Sequence, residues 1–353
     1  MWRLIFLCIL IGGCSTNLYD RSISFIEYSY DEQTGGFHKY YDPKTKKFQD
    51  EVVTGYTGSL LYTLSFINRT YPKSLDFLVL MQKNDGELQG AISYSLNTST
   101  QQKSNRYVIG SAAKAIVSWV PHEPYIDNAI MAGDWLVFMQ RDDGWVRASA
   151  RITNNNILYS DSISLLYNGQ VIKALSHLYL ATNISIYKDS AQKIVNNMID
   201  RVNSEGCLLG DDFRDPNPIS SAWVLMALRE FSVINESVKS HIHNCASELI
   251  RLREFTTKEY ERFPGAFSTS GNGWLAEVFI LMYKDCLVYQ FDDCTLYIDE
   301  VQNLLEWIAK HEVVPQKGEI VWSTSQLYVR TDILAHTANA LYYWEKLGYQ
   351  QFS

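Results

Sequence analysis

The stretch FMQRDDGWVRAS (138–149) ends an apolar, helix-periodic segment in a charged glycine turn and continues into a short alternating piece. A glycine at such a turn supplies the positive φ that ends a helix at low cost, and the alternating residues predict a small β-strand. The same succession recurs along the chain, which points to an internal repeat. The six junctions are YSYDEQTGGFHKYYD (28–42), LMQKNDGELQGAISYS (80–95), FMQRDDGWVRAS (138–149), RVNSEGCLLGDDF (201–213), YERFPGAFSTS (260–270) and VVPQKGEIVWST (313–324).

Two kinds of helix alternate around these junctions. Helices rich in small residues follow them and are predicted over 54–67, 107–120, 163–182, 220–231, 272–289 and 331–348. More amphipathic helices are predicted over 73–82, 124–140, 186–203, 236–255 and 295–310. The sixth amphipathic helix is 17–30, so the N-terminal helix is expected to pair with the C-terminal one and close a ring.

Twelve helices in two alternating sets predict an all-α (α/α)6 toroid, with short β-hairpins in the glycine junctions and residues 14–353 forming a single domain. Ala, Gly and Ser on the inner helices would let their backbones approach closely around a narrow axis. An α-solenoid is the competing architecture, but the junction spacing drifts and keeps no fixed period.

Bulk composition limits the function classes. The chain has 353 residues, 46% of them hydrophobic, so a sizeable core can form. The net charge of −8 is spread without long runs, which argues against a nucleic-acid partner. No Gly-rich phosphate loop appears, and the sequence suggests no cofactor. A calcium site at GDDFRDPN (210–217) is conceivable because oxygen ligands cluster there, but the spacing matches no EF-hand loop.

The N-terminus MWRLIFLCILIGGC (1–14) has one arginine, an apolar stretch too short to span a bilayer, and then small residues. It resembles a bacterial lipoprotein signal, with residues 1–13 removed and Cys14 acylated. The resemblance implies a membrane anchor through Cys14, and Ser15 suggests the periplasmic face of the outer membrane. An ordinary signal peptide with an incidental cysteine is the alternative.

Four further cysteines would remain in the mature chain: Cys207, Cys245, Cys286 and Cys294. Four cysteines allow three pairings. Cys286 and Cys294 flank a predicted helix–helix turn and could bridge in an oxidising periplasm. There is no Cys/His spacing typical of a structural zinc site.

Motifs in this sequence resemble those of two protein families. FMQRDDGW (138–145) resembles the QW-type repeat of terpene cyclases and prenyltransferases, yet the chain lacks their acidic motif at a helix end. TGGFHKYYDPKTKKF (34–48) resembles the opening turn of N-acylglucosamine 2-epimerase-like proteins, and residues 159–195 are similar to a helical unit of these enzymes and of glucuronyl C5-epimerase C-terminal domains. The second resemblance implies a six-hairpin glycosidase-like barrel whose junctions line a carbohydrate cleft.

Candidate ligand-binding residues follow from that cleft. Aromatic faces stack on sugar rings and arginine forks hold carboxylates, which would suit an acidic sugar. The candidates are His38, Tyr41, Trp145, Arg147, Arg151, Trp223, Trp274, Trp322 and Arg330. For Trp145, Arg147 and Arg151, a solvated β-turn with surface arginines is an equally good interpretation.

Glycoside hydrolysis needs two carboxylates across the bond, and epimerisation or elimination needs a base. The candidate catalytic residues are Glu277, Asp161, Asp211, Asp212, Asp332 and His336. Glu277 lies among apolar residues and is the best single candidate for a buried acid. Asp161 and Asp332 also lie where helix N-caps belong, and a lone histidine such as His336 is often a core residue.

These observations favour a periplasm-facing lipoprotein that acts on carbohydrate as a hydrolase, lyase or epimerase, with a uronic-acid-containing glycan as the expected substrate. A non-catalytic lipoprotein that binds glycan or a protein partner on a degenerate toroid is the rival hypothesis. A terpene-cyclase-like barrel is a third, and it would require an acidic motif deep in an apolar cavity.

Overall fold

A computed structural model describes residues 17–154, 156–260, 269–311, 313–314, 319–323, 326–350 and 352. Over these ranges the chain forms twelve α-helices that alternate between an outer and an inner ring. The outer helices are α1 (Leu18–Tyr28), α3 (Pro72–Met81), α5 (Ile126–Phe138), α7 (Ser185–Glu205), α9 (Lys239–Tyr260) and α11 (Thr295–His311). The inner helices are α2 (Thr54–Ser65), α4 (Ile109–Trp119), α6 (Leu165–Thr182), α8 (Pro218–Phe231), α10 (Thr269–Tyr289) and α12 (Thr331–Lys346). This arrangement confirms the predicted (α/α)6 toroid.

The inner ring closes because each inner helix packs on the next, and α12 packs on both α10 and α2. The outer helix α1 packs against α12, so the two ends of the described chain meet. Small residues permit this close approach. A Cβ added at Gly58 would lie 2.8 Å from the Lys114 carbonyl oxygen, and one added at Gly169 would lie 2.9 Å from that of Trp223. Larger side chains at these positions would push neighbouring inner helices apart.

Short strands form at the glycine junctions. They are β1 (Tyr40–Asp42), β2 (Lys47–Phe48), β3 (Glu51–Val53), β4 (Ser95–Asn97), β5 (Arg106–Val108), β6 (Ser149–Thr153), β7 (Asn156–Ser160), β8 (Val313–Val314), β9 (Glu319–Ser323) and β10 (Gln326–Arg330). Strands from different junctions pair: β3 with β4, β5 with β6, and β1 with β10. Because these strands precede the inner helices, they surround one end of the ring, which we call the mouth. The opposite end, where inner helices turn into outer ones, is the hairpin end.

The glutamine that precedes two of the glycine turns has a structural role. Gln140 donates from Nε2 to the Gly144 carbonyl at 2.8 Å and to the Ser190 carbonyl on α7 at 3.0 Å. Gln82 donates in the same way to the Asn128 carbonyl, at 2.9 Å. Each amide ties a turn to the following outer helix. The glutamine of the cyclase-like motif is therefore explained here by the packing of neighbouring outer helices.

Large apolar side chains fill the layer between the rings. Five of the largest are at most 2% exposed: Phe77, Trp119, Trp135, Tyr187 and Tyr297. Burial of this continuous layer supplies the main driving force for folding. Among the described helices, none combines the length and apolar character needed to cross a bilayer.

Two disulfide bonds cross-link the outer part of the structure. Cys286 and Cys294 are bonded across the α10–α11 turn. Cys207, which follows α7, is bonded to Cys245 on α9. The structure thus selects one of the three pairings that the sequence leaves open. The proposed lipidation site, Cys14, and the predicted signal peptide 1–13 lie outside the described residues.

Candidate functional site

A cavity runs along the toroid axis from the mouth toward the hairpin end. Its inner chamber measures about 40 Å³ and its outer chamber, nearer the mouth, about 180 Å³. The two chambers are continuous, because both are lined by Lys114, Gln170, Trp223 and His336. The lining combines aromatic walls with convergent polar and charged side chains, as in small-molecule sites.

Two tryptophans form one wall of the inner chamber. The rings of Trp223 on α8 and Trp274 on α10 are stacked, with centroids 3.8 Å apart and an angle of 19° between their planes. The His336 ring meets Trp274 edge-on, at 4.8 Å between centroids. The pair presents an apolar surface of the kind on which the C–H face of a sugar ring packs.

Glu277 and His336 form a hydrogen-bonded pair in this chamber. His336 Nδ1 lies 2.6 Å from Glu277 Oε2, and Asn339 donates from Nδ2 to Glu277 Oε1 at 2.9 Å. Glu277 is 5% exposed. Since an ionised carboxylate only accepts hydrogen bonds, Nδ1 carries a proton and Nε2 keeps its lone pair when the imidazole is neutral. In the described part of the structure Nε2 has no hydrogen-bond partner.

Lys114 places a positive charge in both chambers of the cavity. In the described chain its Nζ forms no ion pair, and it lies 5.6 Å from the centroid of the Trp223 ring. Burial, reinforced by repulsion from Lys173, lowers the pKa of Lys114 to about 8. A charged side chain held in a cavity under these conditions is available to bind an anionic group.

Lys173 lines the same chamber but is neutralised. Its Nζ lies 3.0 Å from Glu230 Oε1, and His177 Nε2 lies 3.3 Å from Glu230 Oε2. Although burial opposes ionisation of Glu230, Lys173 and His177 hold its pKa well below the usual range. The pKa of Lys173 is raised by Glu230 despite burial. This cluster is a stable ion pair that closes the inner chamber toward the hairpin end.

The outer chamber contains a second ion pair. Arg330 donates from Nε to Asp332 Oδ1 at 3.0 Å and from Nη2 to Oδ2 at 2.5 Å. The guanidinium also lies 5.5 Å from the Tyr56 ring centroid. Asp332 raises the pKa of Arg330 against the effect of burial. Asp332 thus lies in the first turn of α12 and is engaged by Arg330.

The cavity therefore contains six of the residues predicted from sequence. They are Trp223, Trp274, Glu277, Arg330, Asp332 and His336. Trp322 belongs to β9, and its side chain lies outside the described part of the structure.

The rim residues predicted from the third junction lie away from this cavity. Arg147 donates from Nε to Asp161 Oδ1 at 2.8 Å, with the Asp161 side chain 73% exposed. Arg151 is exposed on β6, and Trp145 is buried in the core between the rings. The Arg147–Asp161 pair is a solvated surface contact of modest energy.

Asp211 and Asp212 hold the backbone that leads into α6. Asp211 Oδ2 accepts from Leu165 N at 2.8 Å, and Asp212 Oδ2 accepts from Ile163 N at 2.7 Å. Among the described residues no group of three or more His, Cys, Asp or Glu side chains is placed to hold a metal ion. These contacts give the two carboxylates a structural role at the start of the helix.

Two candidates from the first junction are packed into the fold. His38 stacks on Phe48, with ring centroids 5.0 Å apart, and its Nδ1 lies 3.0 Å from the Gln49 carbonyl oxygen. Tyr41 is 3% exposed and packs edge-on against Phe25. Both side chains stabilise the hairpin of β1 and β2 beside the mouth.

The inner chamber is also lined by three residues that were not predicted from the sequence: Lys114, Lys173 and Asn339. A usable signal was present: a single lysine within the small, apolar helix YVIGSAAKAIVSWV (107–120) is unexpected on an inner helix. Since charged residues are rarely buried without a partner, such a lysine on a predicted inner helix is itself a site candidate.

No family model and no curated protein matches the chain. Solved structures match it along nearly its whole length. A sugar epimerase from a ruminal bacterium matches with 12% identity over 94% of this chain and 97% of its own, at a TM-score of 0.66. A cellobiose 2-epimerase from Spirochaeta thermophila matches with 14% identity over 94% and 95%, at 0.66. A GH76 α-mannanase from Bacteroides thetaiotaomicron matches with 12% identity over 96% and 99%, at 0.65.

At these identities the similarity is one of fold. The relatives include both epimerases and glycoside hydrolases, so it does not select a reaction. The chain shares its (α/α)6-toroid fold with these solved structures.

Proposed function

We propose that this chain is a carbohydrate-active enzyme that moves a proton at a sugar carbon, with His336 as the base. The observation that carries the proposal is the 2.6 Å contact between His336 Nδ1 and Glu277 Oε2 in the aromatic chamber. Glu277 orients the ring and stabilises the imidazolium that forms when Nε2 takes a proton. The stacked tryptophans provide the surface for the sugar ring.

Hydrolysis is less well supported by the same geometry. It requires two carboxylates free to act on opposite sides of a glycosidic bond. Glu277 uses both oxygens to bind His336 and Asn339, and Asp332 is held by Arg330. A base-catalysed reaction uses the histidine directly and leaves both carboxylates in the positions observed.

A uronic acid is the substrate class that best fits the charge of the cavity. The carbon next to its carboxylate carries a hydrogen that becomes acidic when the carboxylate is neutralised. Lys114 supplies a cation without an acidic partner among the described residues, and both it and His336 lie about 6 Å from the Trp223 ring. Lys114 would bind the carboxylate while His336 removes the neighbouring proton.

Two outcomes follow from that one step. The C–H bond breaks, the proton moves to His336 Nε2, and the electron pair is delocalised onto the carboxylate. In epimerisation, water gives a proton to the opposite face of the carbon and His336 releases its proton to solvent. In elimination, the glycosidic oxygen leaves the adjacent carbon as a C=C bond forms, and it takes the proton from His336 to become a hydroxyl group.

The cellular setting is part of the proposal. We propose that Cys14 is acylated after removal of residues 1–13 and that the domain faces the periplasm from the outer membrane. The bonded pairs Cys207–Cys245 and Cys286–Cys294 support an oxidising compartment, because such bonds are rare in a reducing cytosol.

The test is solvent hydrogen exchange into acidic oligosaccharides. The protein is incubated in D₂O with oligouronates and with matched neutral oligosaccharides, and products are read by NMR and ultraviolet absorbance of any unsaturated product. We expect deuterium incorporation or elimination with the oligouronates, lost in His336→Gln and kept in the control His38→Gln. Binding of oligouronates without exchange would favour a non-catalytic glycan-binding protein. Cleavage without exchange would favour hydrolysis.

A further inference from the structure

The hairpin end of the toroid carries more than half of the large exposed apolar side chains of the described chain. Twelve large hydrophobic residues in the described chain are exposed, and seven of them lie at this end. We call these seven the hairpin-end patch: Leu180, Ile184, Ile186, Val233, Leu287, Val288 and Tyr289. Val233 and Val288 are 72% and 71% exposed. Contiguous apolar surface of this kind marks an interaction site more often than isolated exposed residues do.

The residues of the patch come from neighbouring turns of the ring. They belong to the α6–α7, α8–α9 and α10–α11 turns, and α6, α8 and α10 are consecutive members of the inner ring. Lys239, at the start of α9, lies with its Nζ 4.1 Å from the centroid of the Tyr289 ring, which bridges two of these turns. None of the seven residues lines the axial cavity.

The N-terminal end of the domain lies at the same face. Leu18 begins α1, and its N–H donates to the Phe352 carbonyl at 2.9 Å, beyond the end of α12. The inner helix α12 is the neighbour of α10 in the ring. Cys14 is four residues before Leu18, and four residues span at most about 14 Å when fully extended. An acyl chain on Cys14 would therefore hold the hairpin end close to the bilayer.

We propose that the hairpin-end patch contacts the lipid bilayer and that the mouth of the cavity faces away from it. This inference rests on the proposed acylation of Cys14 and is independent of the proposed reaction. A tethered domain meets the bilayer at high effective concentration, so weak apolar contacts are enough to set its orientation. Exposed acidic residues beside the patch, such as Glu236, keep the contact at the level of the headgroups.

The orientation can be measured with environment-sensitive fluorophores on single added cysteines. Ile186→Cys and Val233→Cys place the label in the patch, and Leu158→Cys places it at the mouth on a side chain of similar exposure. Each acylated full chain is reconstituted into vesicles of phosphatidylethanolamine and phosphatidylglycerol. We expect a blue shift on membrane insertion at 186 and 233 and none at 158. Cys14→Ser versions should show no shift.

Three results would overturn the proposal. A blue shift at 158 in place of 186 and 233, or no shift at any position, would show that the patch does not rest on lipid. A concentration-dependent shift at 186 and 233 in the Cys14→Ser chain without vesicles would assign the patch to a second copy. A mass spectrum showing Cys14 without acyl chains would remove its basis. Solvent exchange into oligouronates, measured in the same samples, reports separately on the proposed reaction.

Discussion

Replacing Lys114 by methionine should make the protein more stable and less able to use acidic sugars. Burial and repulsion from Lys173 lower the pKa of Lys114 from 10.5 to about 8. At about 1.4 kcal/mol per pKa unit, holding this charge costs on the order of 3 kcal/mol of folding free energy at neutral pH. Methionine has similar length and no charge, so Lys114→Met should raise Tm by about 5 °C.

The pH dependence provides a sharper check on this reasoning. Below pH 8 Lys114 is charged in both the folded and the unfolded chain, and the full cost of burial is present. Between pH 8 and 10.5 the folded protein releases the proton first, so the cost falls as pH rises. The stability advantage of Lys114→Met should therefore be largest below pH 8 and should disappear toward pH 10.5. Thermal unfolding of both proteins across this range measures it.

Lys173→Met is the matched control. Lys173 lines the same chamber but is paired with Glu230 at 3.0 Å, and its pKa is raised. Removing it leaves the buried Glu230 charge without its closest partner, so this variant should lose roughly 3–5 kcal/mol of stability. The reasoning is refuted if Lys114→Met is destabilised at pH 7, or if it processes oligouronates as well as the parent protein.

Three further predictions concern other parts of the structure. Glu277→Gln removes a charged hydrogen bond to His336 that is worth about 1.5–3 kcal/mol. The variant should stay folded and should lower kcat for solvent exchange by roughly 10- to 150-fold. An unchanged kcat would remove Glu277 from the mechanism. Gly90 has φ +86°, and Gly90→Ala would place a Cβ 1.9 Å from a backbone oxygen of α5. The control Gly86→Ala has φ +72° and open space around the new Cβ, so it should cost about 1 kcal/mol of stability and Gly90→Ala several times as much. Equal losses in denaturant unfolding would contradict tight packing around Gly90. Asp212→Ala should cost about 1 kcal/mol of unfolding free energy and leave sugar affinity unchanged, since its carboxylate accepts from the Ile163 N–H outside the cavity. Weaker sugar binding at unchanged stability would return it to the site.

The helices, their two kinds and the closure of the ring were predictable from the sequence. A helix of small residues, a glycine turn and an apolar period of 3.6 are local patterns, and they depend on interactions within a few residues. The predicted inner helix 331–348 corresponds to Thr331–Lys346 in the structure, and the predicted 54–67 corresponds to Thr54–Ser65. Gly58 illustrates why the pattern was informative, since only a residue without a Cβ allows α4 to approach α2 so closely.

The composition of the site was predictable only in part. Glu277 and His336 were each identifiable as polar residues on apolar inner helices, but 59 positions separate them in the chain. That they form one hydrogen-bonded pair, and that Asp332 is held by Arg330, follows from the arrangement of α10 and α12. Lys114 was detectable as the single lysine of an apolar inner helix, but only the closed ring shows that it faces a cavity without an acidic partner in the described chain.

Local patterns in the sequence fix where the helices lie and which helices have side chains small enough to pack in the inner ring. They also indicate that the first and last helices should pack together. The tertiary structure alone decided which polar side chains face one another across the axis. Asp211 and Asp212, for example, accept hydrogen bonds from backbone groups 46 and 49 residues away. The physical reason is one of range: helix formation and turn geometry are set by neighbours along the chain, whereas the charge balance of a cavity depends on partners that only packing brings together.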